Sequence, residues 1–202
     1  MKTFKVLIEG TTPLMHHRMR EEDLFALRAP KGSKKKDKPE MDLRTVAESY
    51  AYKNKEGAYY IPAGYISGAF AHVASDYKQA NSTRRSYKAV AGGIFRLLDQ
   101  EPILLTKNNK PISTFEVDFR PGNNFKCGKV PVIRPRFEEW RVAFSVAIDD
   151  SIIAPEVAHQ ILEDAGRRAG IGSFRVSKSG FFGQFSVVSW RELKESNRNS
   201  VA

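Results

Sequence analysis

The sequence predicts the α+β fold class, and three observations carry that prediction. Lys2–Glu9 and Arg141–Ile148 alternate apolar with polar or small residues at period two, the pattern of half-buried strands. Ile66, Phe70, Val73 and Tyr77, and later Val157, Ile161, Leu162 and Ala165, recur at helical spacing. Clusters of Gly, Pro, Asn and Asp punctuate the chain between these segments.

Each element follows in order. Phe4, Val6 and Ile8 share one face of the first strand, and Gly10-Thr11-Thr12-Pro13 ends it. Met15–Tyr52 is mixed. A helix is expected at Glu21–Arg28, then a Lys/Gly/Ser/Pro stretch to Pro39, then a helix at Asp42–Tyr52 with Asp42 as N-cap. Ala58–Ile61 reads as a short strand stopped by Pro62. A helix runs from about Gly64 to Lys78, and Arg84–Leu98 is a second helical candidate, weakened by Gly92-Gly93. Pro102–Thr106 is a short strand. Pro111–Arg136 mixes β-prone pieces with four prolines and reads as an irregular hairpin or extended arm. Asp149-Asp150-Ser151 turns the chain, and Pro155 opens a helix at its first turn. A glycine-rich loop, Gly170 to Gly180, leads to a last strand, Phe182–Trp190. Stripped of insertions, the order is strand, helix, strand, strand, helix, strand. That is a ferredoxin-like (RRM-like) βαββαβ core. One domain over residues 1–194 is expected, with inserts at 15–57 and 107–138 and a polar tail at 195–202.

A hydrophobic share of 41 % can bury a core and excludes wholesale disorder. The single cysteine, Cys127, excludes an intrachain disulfide. One Cys and four scattered His do not make paired zinc-ligand spacing, so neither metal nor cofactor is expected. No apolar run approaches a membrane span, and Met1-Lys2-Thr3-Phe4 is no signal-peptide start, so a soluble cytoplasmic protein is expected.

The net charge of +10 is unevenly placed. Arg28–Lys38 carries +5, Lys78–Lys88 +4, Arg120–Arg141 +4 and Arg167–Arg191 +5, which leaves −8 for the rest. Four solvated loops with no shared face would give the same numbers. Segregation on this scale favours a polyanion, most often nucleic acid.

Two local patterns sharpen the choice. In Tyr60-Ile61-Pro62-Ala63-Gly64-Tyr65-Ile66-Ser67-Gly68-Ala69-Phe70 a strand runs into Pro, small residues and a helix start. The small residues either let a phosphate backbone come close to free N–H groups or permit tight packing of helix on sheet. In Arg167 through Phe185, glycines alternate with Arg, Lys and Phe. Glycines open the backbone to ligands, cations bind phosphate, and rings stack on bases. The strand-to-helix order and the Gly-Lys-Ser/Thr ending of a nucleotide P-loop are absent. Phe182 and Phe185 read as core; Arg167, Arg168, Arg175 and Lys178 read as nucleic-acid contacts.

Together these segments resemble the two hallmarks of the CRISPR-associated RAMP superfamily, an "IPGSSLKGALR"-like signature and a glycine-rich loop after the second helix. Ala63-Gly64-Tyr65 replaces the usual Gly-Ser-Ser, and Phe70-Ala71-His72 lacks the closing basic residue. The resemblance implies a guide-RNA backbone subunit that assembles head to tail along RNA. It implies a finger-like insert at Met15–Tyr52 and a β-hairpin thumb at Pro111–Arg136. With the charge pattern it nominates Arg18, Arg20, Ser67, Arg84, Arg85, Lys88, Lys126, Lys129, Arg134, Arg136, Arg167, Arg168, Arg175 and Lys178 as RNA contacts.

Guide-processing ribonucleases of the superfamily commonly use a histidine, and the adjacent His16 and His17 are the candidates for that chemistry here. A pair of adjacent His is more often a surface feature or a phosphate contact. Glu21-Glu22-Asp23 lies where some backbone subunits place an acid for metal-dependent cleavage, yet a charge run opening a helix explains it by dipole complementarity. The expectation is a non-catalytic RNA-binding protein with RNA and other subunits as partners. The alternatives are an endoribonuclease acting through His16 or His17, and a stand-alone or viral RAMP-like binding protein or subunit mimic.

Overall fold

The computed structural model describes residues 1–20, 42–80, 82–124 and 128–193. The helix expected at Glu21–Arg28, the acidic run within it, the Lys-rich stretch, Lys126 and the tail 195–202 lie outside the described residues. In chain order the elements are β1 (Lys2–Gly10), β2 (Leu14–Met15), α1 (Leu43–Ser49) and α2 (Ala63–Val73). A 3₁₀ turn (Tyr87–Val90), α3 (Ala91–Ile94), β3 (Phe95–Leu97), β4 (Leu104–Leu105), β5 (Glu116–Asn124) and β6 (Gly128–Phe137) follow. β7 (Arg141–Ile148), α4 (Pro155–Arg168), a 3₁₀ turn (Val176–Lys178) and β8 (Phe185–Glu192) complete the fold.

The main sheet runs β3-β7-β1-β8, with β4 also on β7, and every pairing is antiparallel. An antiparallel sheet of this order, with α2 and α4 as its two crossings, is compatible with a ferredoxin-like core. Alternation does what the pattern predicts. Phe4, Val6 and Ile8 of β1 and Val142, Phe144, Val146 and Ile148 of β7 are buried under the helices. Such a side chain contributes roughly 1.5–3 kcal/mol on burial. On α2, Ile66, Phe70 and Val73 face inward; on α4, Ala158, Ile161, Leu162 and Ala165 do.

Local chemistry sets the helix ends. The Asp42 carboxylate accepts from the Arg44 and Thr45 backbone N–H groups at 3.1 and 3.3 Å, capping α1. Pro155 opens α4, with Glu156 in its first turn and Arg167 and Arg168 in its last, in accord with the helix dipole.

Several elements depart from the sequence reading. α2 stops at Val73 instead of reaching Lys78. The helical candidate Arg84–Leu98 yields only a 3₁₀ turn and one turn of helix before β3. Phe95 is drawn into the sheet, where its ring stacks on Phe70 with centroids 4.1 Å apart. β3 therefore occupies the second core-strand position expected for Pro102–Thr106, which shrinks to β4 beside it. Ala58–Ile61 forms only isolated bridges, through Tyr59 and Tyr60. β8 begins at Phe185, after Gly183, whose φ of +71 lies outside the extended region.

The segment expected to be irregular is a regular hairpin. β5 pairs with β6 from Glu116↔Arg136 to Asn124↔Gly128, and β2 extends this second sheet. Its prolines explain why the ladder survives. Pro121 faces Pro131, and Pro135 faces Val117, so all three stand at pairs of one parity. Their missing N–H groups fall where no cross-hairpin donor is needed. The Pro135 carbonyl accepts from the His16 N–H instead, at 3.2 Å.

Candidate nucleic-acid interface

α2 carries Gly64, Gly68 and His72 four residues apart, so they form one row on the helix surface. That row and the loop after α4 make the two walls of a cleft of about 240 Å³. Gly64, Tyr65, Gly68, Ala69 and His72 line one wall; Ile171, Gly172, Arg175, Ser177 and Lys178 line the other. Two segments about 100 residues apart in sequence thus share one concave surface. No acidic residue lines it. A Cβ added at Gly64 or Gly68 would meet nothing within 4 Å. The space is therefore not needed for packing α2 on the sheet, and it opens onto the cleft.

The loop wall is built differently. Gly172 has φ +80, and a Cβ there would sit 2.6 Å from the Met15 carbonyl oxygen. Gly183 has φ +71 and packs on the Ile171 carbonyl. Only glycine meets both demands, so the loop closes against β2 and itself. Ser173 N–H donates to the Met15 carbonyl at 2.8 Å. Within this frame Arg175 is held by its own loop, donating to the Gly172 carbonyl and to Ser177 Oγ, each at 3.1 Å. Its partners are neutral, so its charge remains available to an anion.

The β5–β6 hairpin packs against this loop. Arg134 donates to Ser173 Oγ and lies 4.6 Å from the centre of the Phe174 ring. Burial pulls its pKa below the ordinary arginine value. Asp118, only 5 % exposed, accepts from Arg120 and from Arg136. Arg120 in turn lies over Phe182 at 4.6 Å and Phe174 at 5.6 Å. A carboxylate, two guanidinium groups and two rings thereby latch the hairpin to the loop.

The nominated residues divide sharply. Arg175 and Lys178 line the cleft, and Arg134 touches the same loop. Arg136 is committed to Glu116, Asp118 and Glu138, and its hydrogen bond to Glu116 raises its pKa. Arg167 pairs with Asp164, and Arg168 with Asp76. Ser67 Oγ donates to the Ala63 carbonyl at 3.2 Å within its helix. Lys129 is exposed on β6, Arg18 is exposed, and Arg20 sits over the Tyr50 ring at 4.5 Å. Arg84, Arg85 and Lys88 lie beyond the C-terminal end of α2 and do not line the cleft.

The two histidines separate. His16 is fully buried between Phe137 and Tyr52, its Nδ1 accepting the Tyr52 N–H at 3.2 Å. Burial lowers its pKa to about 3. An imidazole that is neutral at pH 7 and sealed from solvent is no general acid or base for an external substrate, which corrects the catalytic reading of His16. His17 is exposed, with its ring 5.5 Å from that of Tyr50.

Sequence reading missed His72, Tyr65 and Asp118. The spacing from Gly64 through Gly68 was the available signal for His72. Tyr65 lines the cleft while its hydroxyl meets that of Tyr52 at 3.0 Å, and burial raises its pKa. Asp118 is one of two acids in the hairpin, with Glu116, and only its burial sets it apart. Among the described residues, no group of three His, Cys, Asp or Glu is placed to hold a metal ion. No described helix is long and apolar enough to cross a membrane.

Fold and cleft together define an α+β protein with antiparallel sheets and a basic groove between a helix and a glycine-rich loop. No family model and no curated relative matches the sequence. Among solved structures, it is similar to a chain of the cryo-EM structure of the Type III-B Cmr-beta bound to cognate target RNA. The TM-score is 0.55 at 16 % identity, over 96 % of this chain and 61 % of that one. This chain thus spans about three-fifths of the length of that neighbour. The likeness is one of fold.

Proposed function

We propose that this protein is a non-catalytic RNA-binding subunit of a CRISPR-type ribonucleoprotein, assembling head to tail along a guide-like RNA. One observation carries the reading: the α2 row and the glycine-rich loop meet in a cleft that holds Arg175 and Lys178 and no acid. Bare helix surface on one wall and oriented cations on the other suit a phosphodiester backbone, whose contacts are largely sequence-independent. The likeness of fold to a chain in an RNA-bound complex supports it. The hairpin latched by Asp118 and Arg120 is the thumb in this reading. The burial of His16 favours the binding role over the ribonuclease alternative.

The test joins affinity to assembly. Binding to single-stranded RNA is expected to weaken linearly in log K against log salt. The Arg175→Ala, Lys178→Ala double variant is expected to lose about tenfold or more in affinity at moderate salt. Protein purified under gentle salt is expected to run as a large particle carrying RNA of regular length. A salt-independent affinity, or a nucleic-acid-free monomer that ignores added RNA, overturns the proposal.

A further inference from the structure

We infer that the hairpin between α2 and α3 is a second RNA-phosphate contact, which takes the strand as it leaves the cleft along α2. The inference rests on the RNA-binding reading above and extends it to a surface outside the cleft.

The hairpin is a built structure. Lys78 and Ser86 form an antiparallel bridge, Gln79 N–H donates to the Arg85 carbonyl at 2.9 Å, and Tyr87 N–H donates to that of Tyr77 at 3.0 Å. Gln79 Nε2 donates to the Ser86 carbonyl at 3.1 Å, and Ser82 Oγ accepts from the Arg84 and Arg85 N–H groups. Its base is anchored at two points. The Tyr87 side chain is buried, and the Tyr77 hydroxyl donates to Asp164 at 2.7 Å.

On this frame stand Lys78, Arg84, Arg85 and Lys88, all exposed. Among the described residues none of the four is ion-paired. The acids near the base are already engaged: Asp76 holds Arg168, and Asp164 holds Arg167 and Tyr77. The cations of the α4 end are thus neutralised within the fold, whereas those of the hairpin are not. A concave surface lined by Lys78, Gln79, Ser82, Thr83, Arg84 and Arg85 mixes charge with amide and hydroxyl groups. No exposed large hydrophobic residue belongs to it. Protein interfaces centre on buried aromatic or aliphatic anchors, so this chemistry fits phosphates better than a protein partner.

Position selects the strand. The row Gly64, Gly68, His72 leads from the cleft to the last turn of α2, and the hairpin opens four residues after Val73, at Tyr77. Between His72 and Lys78 the only acid is Asp76, whose carboxylate is held by Arg168, so RNA that follows the row meets no unpaired acid on this stretch before the hairpin.

The test uses the full chain with Lys78→Gln, Arg84→Gln, Arg85→Gln and Lys88→Gln combined, against labelled oligouridylates of increasing length and in a salt series. Circular dichroism confirms that the variant is folded. Each single-strand phosphate contact contributes about 0.7 to the log K–log salt slope, so the slope is expected to fall by roughly 1–3. Affinity is also expected to plateau at a shorter oligonucleotide than for the wild type. The Arg175→Ala, Lys178→Ala variant, run in parallel, is expected to weaken binding at every length. An unchanged slope overturns the inference and leaves the cleft reading standing. A lowered slope with the same plateau length also overturns it, because the cations then act at a distance. A larger loss toward polyglutamate than toward RNA assigns the hairpin to an acidic protein and overturns it. If the wild type binds no RNA at any length, the cleft reading and this inference fall together.

Discussion

Gly64 and Gly68 on α2 face open space, and a Cβ at either position meets no atom within 4 Å. Gly172 and Gly183, across the cleft, have positive φ and press against the carbonyls of Met15 and Ile171. One wall keeps glycine for the room it leaves, the other for the backbone it permits. The difference separates binding from folding inside a single site. Replacing a glycine of the loop acts on stability, whereas replacing a glycine of the helix wall acts on the ligand.

The largest effect is expected where the fold demands glycine. Gly183→Ala places a methyl group against the Ile171 carbonyl at a left-handed φ, and is expected to cost about 3 kcal/mol in urea unfolding. A loss below about 0.5 kcal/mol would break the comparison.

Beneath the loop, His16 follows Met15, on which Gly172 and Ser173 rest. Its pKa is about 3 in the fold against an ordinary 6.5, so between those values the unfolded chain binds a proton that the folded chain refuses. Stability is therefore expected to fall as pH falls through that window, by about 2–3 kcal/mol at roughly pH 4.5. His16→Gln is expected to flatten that slope in pH-dependent thermal unfolding. An equal slope in both proteins would assign the loss to other groups.

Asp118→Asn removes the charge that gathers Arg120 and Arg136 beneath the hairpin. It is expected to cost about 1–3 kcal/mol and to raise hydrogen exchange in β5 and β6 before the main sheet opens. Exchange unchanged in the hairpin would show that the rings of Phe174 and Phe182 hold it without the carboxylate.

The smallest stability effect has the opposite sign. Gly64→Ala with Gly68→Ala adds helix propensity at sites without a steric conflict and is expected to stabilise the fold by about 1 kcal/mol. The same pair is expected to weaken RNA binding several-fold, read by fluorescence anisotropy. A protein both more stable and equally tight would show that ligand does not approach this face of α2.

Much of the fold was legible where the signal is local. The alternation in β1 and β7, Pro155 at the start of α4 and the Asp42 cap each involve neighbours within a few residues, and each holds in the structure. β3 was not legible, because Phe95–Leu97 is three residues long and follows a glycine-interrupted helical pattern. Its strand character comes from pairing with β7 and from the Phe70 ring, both distant in sequence. For the site, both cleft-forming segments were visible as motifs, and Arg175 and Lys178 emerged from them. His16 and His17 looked equivalent, yet only the packing of Phe137 and Tyr52 distinguishes the buried ring from the exposed one.

By itself, then, the sequence determined the periodicities, the helix starts, the two glycine-bearing motifs and the excess of cations, because each depends on residue type and short-range spacing. The tertiary structure decided which glycines leave room and which cations are free. Both depend on partners remote in the chain. Arg168 is neutralised by Asp76, 92 residues away, and Gly68 is open because no side chain of the opposite wall fills the cleft. Counter-charge and empty volume are properties of the packed molecule, and no local pattern encodes them.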